Sequence, residues 1–192
     1  MSSSKLILAT LKKHKVLTFS ELQKRGASGS FIYKLTEEGL VIAVGSGIYA
    51  SSSLDPFVAA VLATAKYYPR AVISGLTALQ IHGFGQEYIE RIDVDIPREN
   101  SIRNKLLRTH RVPKSRLIGI EIMNFHKGKI RIYNRERSLC EAYLIDQEGL
   151  IFFKALKRYV ASGNIHFDLI QQYDKATRTQ VLKHIRQEVA DV

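Results

Sequence analysis

Ser28, Ser30, Phe31, Tyr33 and Lys34 fall within seven residues and bring three hydroxyls and one ammonium to a single short stretch. That set suits hydrogen bonding to base edges and phosphates rather than making or breaking covalent bonds. Ser46 sits in the turn Gly45-Ser46-Gly47, whose low bulk lets it approach a sugar-phosphate backbone closely. A second set is cationic. Arg103, Lys105, Arg108, Arg111 and Lys114 lie in a tract holding seven Lys and Arg in the nineteen residues Arg98 to Arg116, and Arg131 follows. Such a surface would grip a DNA backbone or an acidic partner. The plainer alternative is a solvated face that pairs with acids such as Glu99 or Glu136. Glu136, between Arg135 and Arg137, is expected to hold a strand-to-helix junction by ion pairing.

The elements that must position the first set run from Thr18 to Ala50. Ser20 is expected to cap a short helix over 21–24, closed by Arg25-Gly26. Ser28 or Ser30 caps the next helix, which runs to Glu38 and stops at Gly39. Ile32 and Leu35 turn inward at a spacing of three, with Leu22 as partner. Residues 40–44 read as a strand, and residues 48–50 pair back across the glycine turn. A first helix over 5–15 supplies Ile7, Leu8 and Leu11 to the same core. This order is that of a winged helix-turn-helix, whose second helix enters the DNA major groove and offers its N-terminal residues to base edges. The same pattern also serves as a protein-contact module.

Net charge is +11 with a pI of about 9.8, which suits a polyanionic partner. The excess is uneven: residues 98–137 carry +9 and residues 1–50 carry +4. The 192 residues suffice for one large or two small domains, and the 45% hydrophobic content is that of a globular chain. No apolar run approaches the roughly 18 residues of a membrane span, and no signal peptide is visible. Cys140, the single cysteine, cannot form an internal disulfide, so the expected compartment is the cytoplasm.

Beyond residue 52 the pattern predicts a second, mixed domain over 53–192. Asp55-Pro56 opens a buried helix over 57–67. Val72-Ile73 is extended, Ser74 caps a short helix over 75–81, and residues 89–96 alternate as a half-buried strand stopped by Pro97. If part of the basic tract is helical, Ile102 and Leu106 face inward and Asn104, Arg108 and Arg111 share the opposite side. Strands over 117–124 and 129–133 should complete a small, mainly antiparallel sheet. Helices over 136–145, 150–161, 168–173 and 177–189 end the chain. The fold class expected is therefore α+β.

Enzyme chemistry finds little support. The six histidines include no pair at i,i+3 or i,i+4, so no metal or other cofactor is expected. Nucleophile arrangements and a Gly-rich phosphate loop are absent from the pattern. Asp93 and Asp95 share one strand face. With Ser74-Gly75 they resemble the Gly-Ser…Asp-x-Asp metal site of nucleotidyltransferases. However, the Ser-Gly order is reversed, the gap is long, and Glu121 is the one carboxylate on the next strand candidate. A solvated polar face is the expectation there.

Three segments carry a resemblance to a known family. They are GASGSFIYKLTEEGLVIAVGSGIYA (26–50), ISGLTALQIHGF (73–84) and IYNRERSLCE (132–141). The first resembles the N-terminal domain of the AbiEi family, the antitoxin of type IV (abortive infection, AbiE) toxin–antitoxin operons. The second is similar to that family's S-x-x-x-A-L-x-x-H-G element through Ser74, Ala78, Leu79, His82 and Gly83. The third is similar to its Y-x-x-E-R-T-L-x-D junction, with Ser138 for Thr and Glu141 for Asp. The resemblance implies a non-enzymatic autoregulator that binds double-stranded DNA at promoter inverted repeats, as a monomer in solution or a dimer on DNA. It also implies that the C-terminal domain counteracts a nucleotidyltransferase toxin. The alternatives are a protein-interaction module and a stand-alone regulator with no toxin.

Overall fold

The structure, a computed structural model, describes residues 3–45 and 47–190. The fold is α+β. It opens with α1 (Ser3–His14), β1 (Val16–Thr18), α2 (Phe19–Gln23), α3 (Gly29–Glu37), β2 (Val41–Gly45) and β3 (Ile48–Ser51). The three strands form an antiparallel sheet in the order β1-β3-β2. Helix order and sheet are those of a winged helix-turn-helix. Ile7 and Leu11 of α1 lie one turn apart and are buried with Leu17, Leu22, Ile32, Leu35 and Val41. Leu8 packs at the edge of that core. Strand β1 was hidden in the sequence because three residues are too few to show an alternation.

The start of α2 differs from the expected cap at Ser20. Thr18 Oγ1 accepts from the Glu21 N–H at 3.2 Å, while the Glu21 carboxylate accepts from the Thr18 N–H at 2.7 Å. This reciprocal capping box satisfies two backbone N–H groups at once, which a lone serine at position 20 would not. Helix α3 is capped by Ser28, whose Oγ accepts from the Phe31 N–H at 3.2 Å.

Helix α4 (Pro56–Tyr67) begins at Asp55, whose carboxylate accepts from the N–H groups of Phe57 and Val58. Side-chain bonds tie its end to the winged helix. Lys66 Nζ donates to the Val16 carbonyl at 2.9 Å and to Glu21 at 3.1 Å, and the Tyr67 hydroxyl donates to Glu21. The chain divides into two compact units. The first runs to Pro69 and adds Arg103–Leu107 and Asn124–Ile130; the second takes the rest. The boundary expected at residues 52/53 therefore falls inside the first unit, because α4 is bonded to β1 and α2.

The remaining elements are β4 (Val72–Ile73), α5 (Gly75–Ile81), β5 (Ile92–Pro97), β6 (Leu107–Val112), β7 (Ile120–Phe125), β8 (Gly128–Tyr133), α6 (Arg135–Ile145), α7 (Leu150–Ala161), α8 (Phe167–Thr177) and α9 (Val181–Ala190). The five strands pair in the order β6-β5-β4-β8-β7. The sheet is mixed, since β4 runs antiparallel to β5 and parallel to β8. Leu139, Phe152, Leu156, Tyr159, Ile170 and Ile185 centre the core of the helical end. Among the described residues no helix is long and apolar enough to cross a membrane.

The helical alternative for the basic tract and the solvated face expected of the Asp93–Asp95 strand both fail here. Residues 107–112 form strand β6 rather than a helix, and the tract's one helical piece is the single 3-10 turn Lys114–Arg116. Strand alternation then puts Arg108 and His110 on one face and Arg111 on the other. Strand β5 is buried on both faces, with Asp93 and Asp95 only 3% and 2% exposed. It lies between β6 and β4 in the sheet, and its supposed solvated face is lined by residues of α5 and α6.

Candidate nucleic-acid interface and an acid-lined cleft

Helix α3 buries Ile32 and Leu35 and turns Ser30, Tyr33 and Lys34 outward. Tyr33 is 67% exposed. Ser28 is exposed with its Oγ engaged as the cap, and the Ser30 hydroxyl lies 3.1 Å from it. Lys34 reaches Glu38 at 3.8 Å, but the two side chains are 72% and 45% exposed. Such a surface pair contributes only about 0.3–0.5 kcal/mol, so it leaves the ammonium open to a stronger anion. Phe31 sits differently from the expected base-facing position: it is half-buried and packs on the winged-helix core.

The wing turn uses positive φ at Gly45 (+128°) and Gly47 (+70°), which a residue with a side chain rarely adopts. Ser46 between them lies outside the described residues. The segment Arg103–Leu107 belongs to the same unit, and a Cβ at Gly45 would lie 3.9 Å from the Leu106 side chain. Leu106 is buried there, while Arg103 and Lys105 beside it are exposed and pair with no carboxylate among the described residues. Arg131, in the second unit, is exposed in the same manner.

Three other cations of the tract have partners. Arg108 approaches Asp93 at 3.6 Å, Lys114 pairs with Glu99 at 2.6 Å, and Arg111 donates to the Arg98 carbonyl. A second cationic feature of the first unit is not legible in the sequence. A groove of about 350 Å³ is lined by Lys13, His14, Lys15, Lys66, Lys127 and Lys129. Its lysines come from the end of α1 and the residue after it, from α4, and from the β7–β8 turn and the start of β8, so no single stretch announces them. Val16 also lines it, at the end of β1 away from the wing, since Thr18 is the residue paired with Ile48.

The second unit contains a cleft of about 430 Å³ between β5, β6, α5 and α6. Gly75 opens α5 at φ +54°, and a Cβ there would meet Asp93 at 3.1 Å, so glycine permits this close approach. The Thr77 hydroxyl accepts from the Asp93 N–H at 2.9 Å. His110 Nε2 lies 3.0 Å from Asp93 Oδ1, and that hydrogen bond, partly opposed by burial, holds the imidazole above its ordinary pKa. The Tyr133 hydroxyl donates to Asp95 Oδ2 at 2.8 Å, and burial together with the Asp95 charge raises its pKa. Arg137 is 1% exposed, pairs with Glu141 and lies 4.3 Å from the Tyr133 ring. Burial pushes the Glu141 carboxyl upward against the pull of Arg137. Sequence reasoning had named the two aspartates but missed His110, Arg137 and Glu141 as their neighbours, because two further elements, β6 and α6, supply these.

Two of the three segments on which the family resemblance rests, 73–84 and 132–141, meet in this unit. His82 Nε2 donates to the Tyr133 carbonyl at 2.8 Å, and the Ser138 hydroxyl donates to the same carbonyl at 3.2 Å. Burial lowers the His82 pKa despite that bond. Ser74 precedes α5 but makes no side-chain cap bond. Glu136 takes partners other than its flanking arginines: it accepts from the Tyr159 hydroxyl at 3.1 Å and from His166 Nδ1 at 2.7 Å. The Cys140 thiol is buried, which pushes its pKa up to about 12 and leaves it unreactive.

No family model matches the chain. No curated protein matches it either. The crystal structure of the RV2827C protein from Mycobacterium tuberculosis is similar in fold, with a TM-score of 0.62 at 15% identity over 95% of this chain and 75% of that one. At that identity the likeness is one of fold alone.

Proposed function

We propose that this protein is a sequence-specific double-stranded DNA-binding regulator acting on its own operon in the cytoplasm. The observation that carries the reading is α3, which leaves Ser30, Tyr33 and Lys34 exposed on the second helix of a helix-turn-helix. A large aromatic held in water beside an open ammonium has no role in the fold, whereas both have one against base edges and phosphates. Arg103 and Lys105 beside the wing, and the lysine groove, supply cations to the same unit. Two copies on an inverted repeat would place half-sites roughly 34–36 Å apart, or a multiple of that.

The test is selection of bound fragments from random DNA by the full chain, followed by gel shifts at matched salt. Tyr33→Ala and Lys34→Ala should each weaken the selected site by about ten-fold, within the 1–3 kcal/mol range of a base contact. Unchanged affinity in both variants would remove α3 from the interface. Affinity should also fall with salt at a log–log slope of about −0.9 per neutralised phosphate.

The antitoxin part of the proposal rests on the resemblance to the AbiEi family. It is supported by apolar side chains that the second unit leaves exposed near the α6–α7 turn: Leu144 at 42%, Ile145 at 44% and Leu150 at 68%. Exposed apolar groups so close in sequence suit a protein partner. Co-purification of the full chain with the product of an adjacent nucleotidyltransferase gene, lost in Leu150→Asp, would support it. A protein that binds its operator but captures no such product would be a stand-alone regulator.

A further inference from the structure

We propose that the cleft of the second unit binds a divalent cation together with a di- or triphosphate, of which a nucleoside triphosphate is the biological form. The starting observation is an imbalance among buried acceptors. Asp93 Oδ1 is met by His110 and Arg108, yet Asp93 Oδ2 has no hydrogen-bond partner. Asp95 Oδ2 accepts from Tyr133, yet Asp95 Oδ1 has none. Carboxylate oxygens buried without a partner are strongly unfavourable, and each calls for a ligand. These two belong to alternate residues of one strand, so they share the face that lines the cleft.

Two unpartnered carboxylate oxygens select a hard cation. Mg²⁺ takes oxygen ligands and is commonly held by one or two carboxylates plus the phosphates of its companion. The protein offers no more than the pair. The Glu141 carboxylate is bonded to Arg137, and no group of three or more His, Cys, Asp or Glu among the described residues could hold a metal alone. The remaining ligands must therefore arrive with the cation. The same cleft is lined by Arg108 and Arg116, whose guanidinium forks fit phosphate oxygens. Leu76, Leu144 and Ile145 give it an apolar side suited to a base or sugar, and its volume of about 430 Å³ is within the range of small-ligand sites. Where metal-assisted phosphoryl transfer would want a further carboxylate on the neighbouring strand, β6 places Arg108 and His110. The site is therefore assigned binding, with no transfer step.

The test uses the full chain in titration calorimetry and thermal melts. Probes are Mg²⁺ with each of the four ribonucleoside triphosphates, Mg²⁺ with pyrophosphate, Mg²⁺ alone, and nucleotide in EDTA. A Mg²⁺–nucleotide complex should bind and, near saturation, raise Tm by about 5 °C. Mg²⁺ alone and nucleotide in EDTA should do neither. Equal binding of Mg²⁺–pyrophosphate would uphold the cation–phosphate chemistry and show that the base is not read. Asp95→Asn should weaken binding at least about ten-fold, as expected when one charged ligand is neutralised. Arg108→Ala, at a side chain 43% exposed, should do the same without threatening the fold. The proposal is overturned if no probe binds, if binding survives EDTA, or if folded Arg108→Ala binds as tightly as the parent. Operator binding is measured on other residues and stands or falls separately.

Discussion

Lys34 in α3 and Arg137 in α6 both face a glutamate four residues along their helix, and the structure treats them in opposite ways. Lys34 keeps 72% of its side chain in water and stands 3.8 Å from Glu38. Arg137 is 1% exposed, bonded to Glu141 and packed over the Tyr133 ring. A solvated pair adds little to stability, so its cation is free to exchange a weak intramolecular anion for a phosphate. A buried pair has already lost its water, so each member depends on the other. Identical spacing in sequence therefore marks a solvated pair in one unit and a structural clamp in the other. Burial decides which, and spacing alone does not reveal it.

The sharpest way to break this comparison is Arg137→Ala. It leaves Glu141 buried without its cation and should cost about 3–5 kcal/mol, read by urea denaturation of the full chain. The double variant Arg137→Met with Glu141→Leu should recover most of that loss, because it removes both charges and keeps apolar volume. Were Arg137→Ala to cost no more than Lys34→Ala, the clamp would not exist.

How legible each region was follows from the same physics. The winged helix was readable because its signals are local: Ser28 as cap, Ile32 and Leu35 at helical spacing, and two glycines flanking one wing residue. The cleft was not. Asp93 and Asp95 alternate with Ile92, Val94 and Ile96 as a half-solvated strand would, and nothing local says that α5 and α6 line the polar face. The basic tract misled in another way. The spacing of Ile102 and Leu106 allowed a helix, yet pairing with β5 made residues 107–112 a strand, and a tertiary partner overrides local preference in such segments. The lysine groove was invisible because its cations are assembled from three segments.

A smaller effect is expected at the Thr18 capping box. Thr18→Ala removes the acceptor for the Glu21 N–H and should cost about 1 kcal/mol. Glu21 itself sharpens the contrast between solvated and engaged charge through pH. Burial alone would raise its carboxyl, but bonds from Tyr67, the Thr18 N–H, Lys66 and the Thr18 hydroxyl outweigh burial and hold it at about 2, against 4.5 ordinarily. Because the folded value is the lower one, the stabilisation is complete above the ordinary value. It is lost as pH falls from about 4.5 toward 2. Glu21→Gln should flatten the stability profile in that acid window and leave its neutral-pH shape alone. An unchanged acid limb would mean that the Tyr67 and Lys66 bonds do not form in solution.

The smallest expected stability effect belongs to Lys34→Ala, which should shift unfolding free energy by less than about 0.5 kcal/mol because its ion pair lies in water. The same variant should lower operator affinity and reduce the magnitude of the salt slope by about 1, as loss of one phosphate contact requires. Stability and affinity are thus predicted to separate at position 34 in the sense opposite to position 137. Arg137 is buried and held by Glu141, whereas a phosphate can displace Glu38 from Lys34 with no change in the fold. If Lys34→Ala instead lowered stability and affinity together, the ammonium would be part of the scaffold. The exposed hydroxyls of Ser30 and Tyr33 would then have to account for recognition on their own.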